Sequence, residues 1–324
     1  MSHYTQLTLD QRYQIQECRS FNNQFKLATI AARVGVSVST ISRELRRNMS
    51  GRGYQAKYAH RQATERRLGK AISRMTVQNW LFVERRIRND WSPEQISLWL
   101  KKYGDFTVSH ESIYQYLLTD KAQGGTLYTH LRGKNSRRNR YGSYKKRGHI
   151  KDRTFIDERP ASVEKRLTIG HWELDTVMGK AQRCPLVTLT ERKSRFELVA
   201  KVSSKNANVV ANAIIELLLP YKNKVRTITT DNGKEFAYHK KIAAALDAKI
   251  YFAHPYASWE RGLNENTNGL LRQYFPRKTD FSTITDAQIE QALYRLNNRP
   301  RKCLGMKTPH QVFFKTNQSV ALAV

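Results

Sequence analysis

The stretch TITTDNGKEF, Thr227 to Phe236, runs from β-branched residues into Asp231-Asn232-Gly233. Asp-Asn-Gly is turn chemistry, because Asn and Gly tolerate positive φ. Read alone, Asp231 is a turn residue at the end of a strand. Read as an acid at a strand terminus, it is a candidate for a catalytic site. The rest of the chain decides between the two.

Outward from this stretch the sequence alternates between strands and helices. Upstream, GHWELDTVMG from Gly170, PLVTLTE and FELVAKVS predict three strands, and Asn206 to Leu219 predicts a helix with Val209, Val210, Ala213, Ile214, Leu217 and Leu218 on one face. Val225 to Thr230 is a fourth strand, Phe236 to Leu246 a helix, Lys249 to His254 a fifth strand, and Glu260 to Phe275 a helix. The order is βββαβαβα. A further helix, Ala287 to Asn298, is closed by Arg299-Pro300.

Three acids stand out on these elements: Asp175 within the first strand, Asp231 at the end of the fourth, and Glu265 within the helix after the fifth. Clustered carboxylates repel unless a cation neutralises them, and hard oxygen ligands suit Mg²⁺ or Mn²⁺. Two such ions about 3.5 to 4 Å apart serve in-line displacement at phosphorus. Glu260 competes with Glu265 for the third place. At 100° per residue, Leu263, Thr267, Leu270, Leu271 and Tyr274 form the apolar stripe of the helix, and Glu265 points away from it, among Arg261, Gly262, Asn268, Gly269 and Arg272. That face of small and basic residues admits a DNA backbone, with Arg261 and Arg272 as its cations.

The charge agrees. Among 324 residues, 57 Lys and Arg stand against 27 Asp and Glu, a formal charge of +30. So large an excess repels itself, and a polyanion relieves it by releasing counterions. A membrane surface is the competing partner, but no basic amphipathic helix with a Trp/Phe/Leu face is present. The longest mostly apolar run, Ala213 to Leu219, contains Glu216 and is too short to span a bilayer. With no signal pattern at the N-terminus, the expected location is cytoplasmic. Cys18, Cys184 and Cys303 are isolated, so neither a disulfide framework nor a cysteine zinc site is indicated.

The N-terminal part is helical. KLATIAARVGVSVSTISRELRRN, from Lys26, places Ile30, Val34, Ile41 and Leu45 at helical intervals around Gly35. A small residue at Ala31, glycine at the turn and β-branched Ile41 match helix-turn-helix spacing, with Ser37 capping a second helix that projects Ser39, Thr40, Arg43 and Arg47. A helical hairpin with a solvated basic face is the plainer alternative. A second unit begins at Trp91-Ser92-Pro93-Glu94-Gln95, where Ser92 caps, Pro93 suits the first helical position and Gln95 closes a capping box. Its helix carries Ile96, Leu98, Trp99 and Leu100, and another starts at Ser109. The turn between them is long, so a second helix-turn-helix and a packing-only bundle both remain open.

From Arg132 to Arg153, ten Lys or Arg face the single acid Asp152. Arg137, Arg138, Arg140, Lys145, Lys146 and Arg147 are expected to contact phosphates from a linker. The resulting organisation is a helix-turn-helix domain over 1–52, a basic helical connector over 53–73, a second helical domain over 74–122, a basic linker over 123–155, an α/β catalytic domain over 156–315 and a tail over 316–324. The residues alone indicate a basic, metal-dependent nucleic-acid enzyme.

The acid-bearing order resembles the ribonuclease-H-like core of DDE transposases and retroviral-type integrases. With 33 residues between Asp231 and Glu265, the words GHWELDTVMG, TTDNGKEF and HPYASWERGLNENTNGLLRQYFP are similar to the bacterial insertion-sequence thirty family, whose two N-terminal helix-turn-helix units extend the match over nearly the whole chain. A zinc-binding His/Cys module of the integrase kind is missing. The resemblance implies a mixed five-stranded sheet with helices on both faces. It implies two Mg²⁺ or Mn²⁺ ions, with Asp175 ligating both and Asp231 and Glu265 completing one site each. It also implies binding to the terminal inverted repeats of an element, strand cleavage, joining of 3′-hydroxyls to target DNA, and at least a homodimer to act on two ends. A DNA-binding regulator with a non-catalytic α/β assembly domain is the rival reading.

Overall fold

A computed structural model describes residues 6–20, 25–51, 53–70, 75–132, 150, 152–180, 183–255 and 257–316. The six basic linker residues from Arg137 to Arg147 lie outside the described residues, as does most of the expected tail. The chain forms two compact units, Met1–Thr76 and Val77–Val324.

The first unit contains α1 (Leu9–Ser20), α2 (Leu27–Val34), α3 (Val38–Asn48) and α4 (Ala56–Lys70), with a short antiparallel pairing of Met49–Ser50 and Gly53–Tyr54 between the last two. Gly35 ends α2 at φ 73, a left-handed conformation that costs glycine nothing. Ser37 then caps α3 by accepting the Thr40 N–H at 3.3 Å. Ile30, Ala31, Val34, Ile41 and Leu45 close a core with Ile15, Cys18 and Tyr54. Full burial of a side chain such as Ile41 contributes about 1.5–3 kcal/mol. Glu44, buried on α3, is 2.7 Å from Arg12 and accepts the Tyr54 hydroxyl at 3.0 Å, so its charge is compensated.

The second unit opens with α5 (Val77–Arg88), α6 (Pro93–Tyr103) and α7 (His110–Ala122). Ser92 and Gln95 form the expected capping box around Pro93, and Ser109 caps α7. Asp90, in the α5–α6 turn at φ 61, is buried. It is 2.7 Å from Arg295, accepts the Tyr274 hydroxyl at 3.0 Å and lies 3.2 Å from His130. These bonds tie the helical module to the rest of the unit.

Five strands follow: β1 (His171–Val177), β2 (Leu186–Glu191), β3 (Glu197–Lys201), β4 (Thr227–Thr230) and β5 (Lys249–Phe252). They form one sheet in the order β3-β2-β1-β4-β5. The β1–β2 and β2–β3 pairs are antiparallel, β1–β4 and β4–β5 parallel. The helices of this part are α8 (Ala207–Leu218), α9 (His239–Leu246), α10 (Gly262–Leu271), α11 (Asp286–Asn297) and α12 (Pro309–Phe314).

Because side chains alternate along a strand, β1 serves two cores. Trp172 and Leu174 pack with Val210, Ile214, Leu218, Ile242, Leu246 and Phe313 of α8, α9 and α12. Val177 packs on the other face with Leu270, Leu271, Ile289 and Leu296 of α10 and α11. Asp175 shares the parity of Val177 and so belongs to the α10 face. The fold is the expected mixed five-stranded sheet with helices on both faces.

Helix α10 begins later than the expected Glu260. Ser258–Arg261 is a tight 3-10 turn, because the Glu260 carboxylate turns back to accept the His254 N–H at 2.8 Å. The helix expected from Phe236 likewise starts at His239, after a 3-10 turn over Lys234–Phe236.

Candidate active site

Register sets the first two carboxylates side by side. In the parallel β1–β4 pair His171 faces Thr227, and four residues further along each chain stand Asp175 and Asp231. Both lie at carboxyl ends of adjacent parallel strands, the usual location of ligand sites in α/β sheets.

Each aspartate divides its oxygens between structure and site. Asp231 Oδ1 accepts the Gly233 N–H at 2.9 Å, which makes the Asp-Asn-Gly turn, while Oδ2 lies 3.5 Å from Arg261 Nη2. Asp175 Oδ1 accepts the Thr176 N–H at 2.9 Å and lies 3.6 Å from Arg261 Nη1; its Oδ2 accepts the Asn268 side-chain N–H at 2.8 Å. The turn and site readings of Asp231 are therefore compatible. One guanidinium neutralises two acids at the point where they converge. Burial pushes the Asp175 carboxyl above its ordinary range, Arg261 pulls it back, and the negative charge of Asp231 raises it again.

The turn is braced on both sides. Asn232 donates to the Ala253 carbonyl after β5 and accepts from Arg153. Glu235, which the sequence shows only as a turn residue, is buried; it accepts the Thr176 hydroxyl at 3.0 Å and pairs with Lys205 at 2.7 Å. Its carboxyl carbon would lie 2.5 Å from a Cβ added to Gly233. A side chain there would push the Glu235 carboxyl aside, and that carboxyl is bonded to Thr176 next to Asp175. The only sequence signal for this is the nearness of Glu235 to Asp-Asn-Gly.

Glu265 is exposed on α10. Arg261, in the 3-10 turn ahead of α10, and Asn268, three residues after Glu265, both reach the aspartates. Among the described residues, however, no three His, Cys, Asp or Glu side chains are grouped so as to hold a metal. Asp175 and Asp231 are brought together; Glu265 is not joined to them by a hydrogen bond or ion pair among the described residues. Glu260 is engaged elsewhere, 2.9 Å from His254 Nδ1, whose Nε2 is 2.9 Å from Asp157. A divalent cation fits the aspartate pair on two grounds: the donors are hard oxygens, and the fold already aims a positive group at both.

The expected DNA-contacting residues are divided. Ser39, Arg43 and Arg47 are exposed on α3, with Arg43 bonded back to Ser39, and the Thr40 hydroxyl joins the Ser37 cap at 2.9 Å. Arg261 faces the aspartates rather than outward. Arg272 donates to the Met178 carbonyl at 2.7 Å, with its guanidinium 5.5 Å from the Phe281 ring, where it braces the segment after β1. Among the described residues no helix is long and apolar enough to cross a membrane.

Comparison with known proteins adds the family. A helix-turn-helix domain family matches residues 3–48, and an integrase core domain family matches residues 167–258. The chain is 41% identical over 323 residues to the transposase for insertion sequence element IS4351 of Bacteroides fragilis, covering 98% of each chain. It is 35% identical to transposase InsI for insertion sequence element IS30A of Escherichia coli strain K12, over 94% of this chain and 82% of that one. Among solved structures it is similar to the catalytic core domain of BIV integrase, at 22% identity over 45% of this chain and 93% of that chain, with a TM-score of 0.37. A likeness to insertion-sequence transposases that runs from one end of the chain to the other, through both the helix-turn-helix segment and the integrase core, makes this protein a member of the IS30 family of transposases.

Proposed function

We propose that the protein binds the terminal inverted repeats of its element through the first unit, cleaves DNA strands at the element ends and joins the freed 3′-hydroxyls to target DNA. The convergence of Asp175 and Asp231 on one cationic point, 3.6 and 3.5 Å from the two Arg261 nitrogens, is the observation that carries this reading. Asp175, Asp231 and Glu265 would hold two divalent ions, Mg²⁺ or Mn²⁺. When bound, such ions supply activation of the attacking oxygen and stabilisation of the leaving oxygen.

The chain's own residues do the rest. Asn268 and the Thr176 N–H fix the Asp175 carboxylate, and the Gly233 N–H fixes that of Asp231. Glu235 and Asn232 keep the turn from drifting. No side chain is required as a covalent nucleophile, because water and then a 3′-hydroxyl can attack in succession. Handling two ends and a target calls for a homodimer or larger assembly on double-stranded DNA.

A strand-transfer assay with an end-bearing duplex tests the proposal. Nicking and joining that depend on Mg²⁺ or Mn²⁺ are expected; end binding with neither reaction would overturn it.

A further inference from the structure

In the first unit, α3 and α4 enclose a cleft of about 240 Å³. Arg43 and Arg47 line it from α3, Arg66 and Arg67 from α4, and the buried pair Arg12 and Glu44 completes it. Its single carboxylate is committed, since Glu44 lies 2.7 Å from Arg12 and accepts the Tyr54 hydroxyl. Of the other four guanidiniums, those of Arg43, Arg66 and Arg67 have neutral partners. Arg43 bonds to Ser39, Arg66 to the Arg47 carbonyl at 3.2 Å and to Asn48, and Arg67 to Gln6 at 3.5 Å. Among the described residues none of the four meets a carboxylate. A guanidinium has five N–H donors, so donors and charge are left over around one concavity.

Four like charges lining one cleft repel one another, and an anion between them removes that cost. Helix α4 lies beyond the matched helix-turn-helix segment, which ends at residue 48, yet Arg66 bonds to the last two residues of α3. We propose that this cleft is a phosphate site, that its occupant is a backbone phosphate of duplex DNA, and that α4 is a second DNA-contacting helix beside α3. The proposal rests on the first unit being the DNA-binding unit. It concerns affinity rather than sequence readout, because phosphate carries no base information.

The test uses the full-length protein, an end-bearing duplex and a scrambled duplex across a salt series. Arg67→Gln and the Arg66→Gln/Arg67→Gln pair are compared with Arg61→Gln, which lies on α4 outside the cleft and opposite Glu65. The expected result is a fall of roughly 0.9 in the magnitude of d log K/d log[salt] for each phosphate no longer neutralised, equal for both duplexes, with Arg61→Gln unchanged. Arg67 is exposed, so its single substitution keeps the test meaningful should the pair loosen α3. Unchanged slopes for Arg67→Gln and the pair overturn the proposal, as does an effect confined to the end-bearing duplex. Thermal stabilisation of the wild type by inorganic phosphate together with unchanged slopes assigns the cleft to free phosphate and overturns the DNA occupant. A wild type that binds neither duplex overturns the underlying DNA-binding reading instead.

Discussion

Asn268 donates a 2.8 Å hydrogen bond to Asp175, joining α10 to β1 across the covered face of the sheet. The Asn268 side-chain oxygen Oδ1 in turn accepts the Thr188 hydroxyl at 3.1 Å, and Thr188 faces Asp175 in the β1–β2 register. Asp175 is therefore oriented by a side chain that is itself held. Replacing Asn268 by Leu is expected to lower activity or metal affinity by about 10- to 100-fold, the usual cost of removing a group that orients a ligand. Mn²⁺ titration of wild type and variant, alongside the nicking rate, checks it; unchanged values for both would remove Asn268 from the site.

Arg261 lies against the two carboxylates that the proposed divalent cation would use, so the two would compete. Arg261→Gln should destabilise the metal-free protein by about 1–3 kcal/mol, the cost of leaving partly buried polar partners unmatched, while tightening Mn²⁺ binding. The two signs are opposite, so general unfolding cannot imitate them. Calorimetric Mn²⁺ binding that weakens in the variant would contradict this arrangement.

A Cβ on Gly233 would lie 2.5 Å from the Glu235 carboxyl carbon, so that side chain would have to shift from its bonds to Thr176 and Lys205. Gly233→Ala is expected to cost about 1–3 kcal/mol through overpacking and to slow strand cleavage by shifting the Asp231 turn. Thermal melting and a nicking assay read the two effects. A variant as stable and as active as wild type would show that the turn is not held by this packing.

His254 lies between Glu260 and Asp157, and the hydrogen bond to Glu260 holds its pKa above the ordinary 6.5. A histidine whose folded pKa is raised contributes stability fully below its unfolded pKa and loses it as pH rises through the folded value. Melting temperature should therefore fall from about pH 6.5 upward, within the range where imidazole titrates, and the slope should be shallower in His254→Gln. Equal slopes in the two proteins would exclude this latch.

How far the sequence reveals the site depends on the distance over which each interaction acts. The strands are legible from their alternation, and Ser37, Ser92 and Ser109 from capping, because these are local effects. Helix periodicity in the sequence favours Glu265 over Glu260, but Glu260 lies in the 3-10 turn ahead of α10, which that periodicity does not describe. Arg261, by contrast, reads in the sequence as a DNA contact; its reach to Asp175 and Asp231 depends on the 3-10 turn over Ser258–Arg261 and on the β1–β4 register, neither of which a helix projection contains. Glu235 is illegible for the same reason, since its partners Thr176 and Lys205 lie on other elements.

In the proposed reaction Asp175, Asp231 and Glu265 act as one metal-dependent site. Mg²⁺-dependent cleavage of an end-bearing duplex by Glu265→Gln and Glu260→Gln, with duplex binding measured in parallel, tests this. Glu265→Gln is expected to bind the duplex like wild type and not to cleave it, whereas Glu260→Gln is expected to cleave with a mild reduction in rate. Cleavage retained by Glu265→Gln and abolished in Glu260→Gln would contradict it.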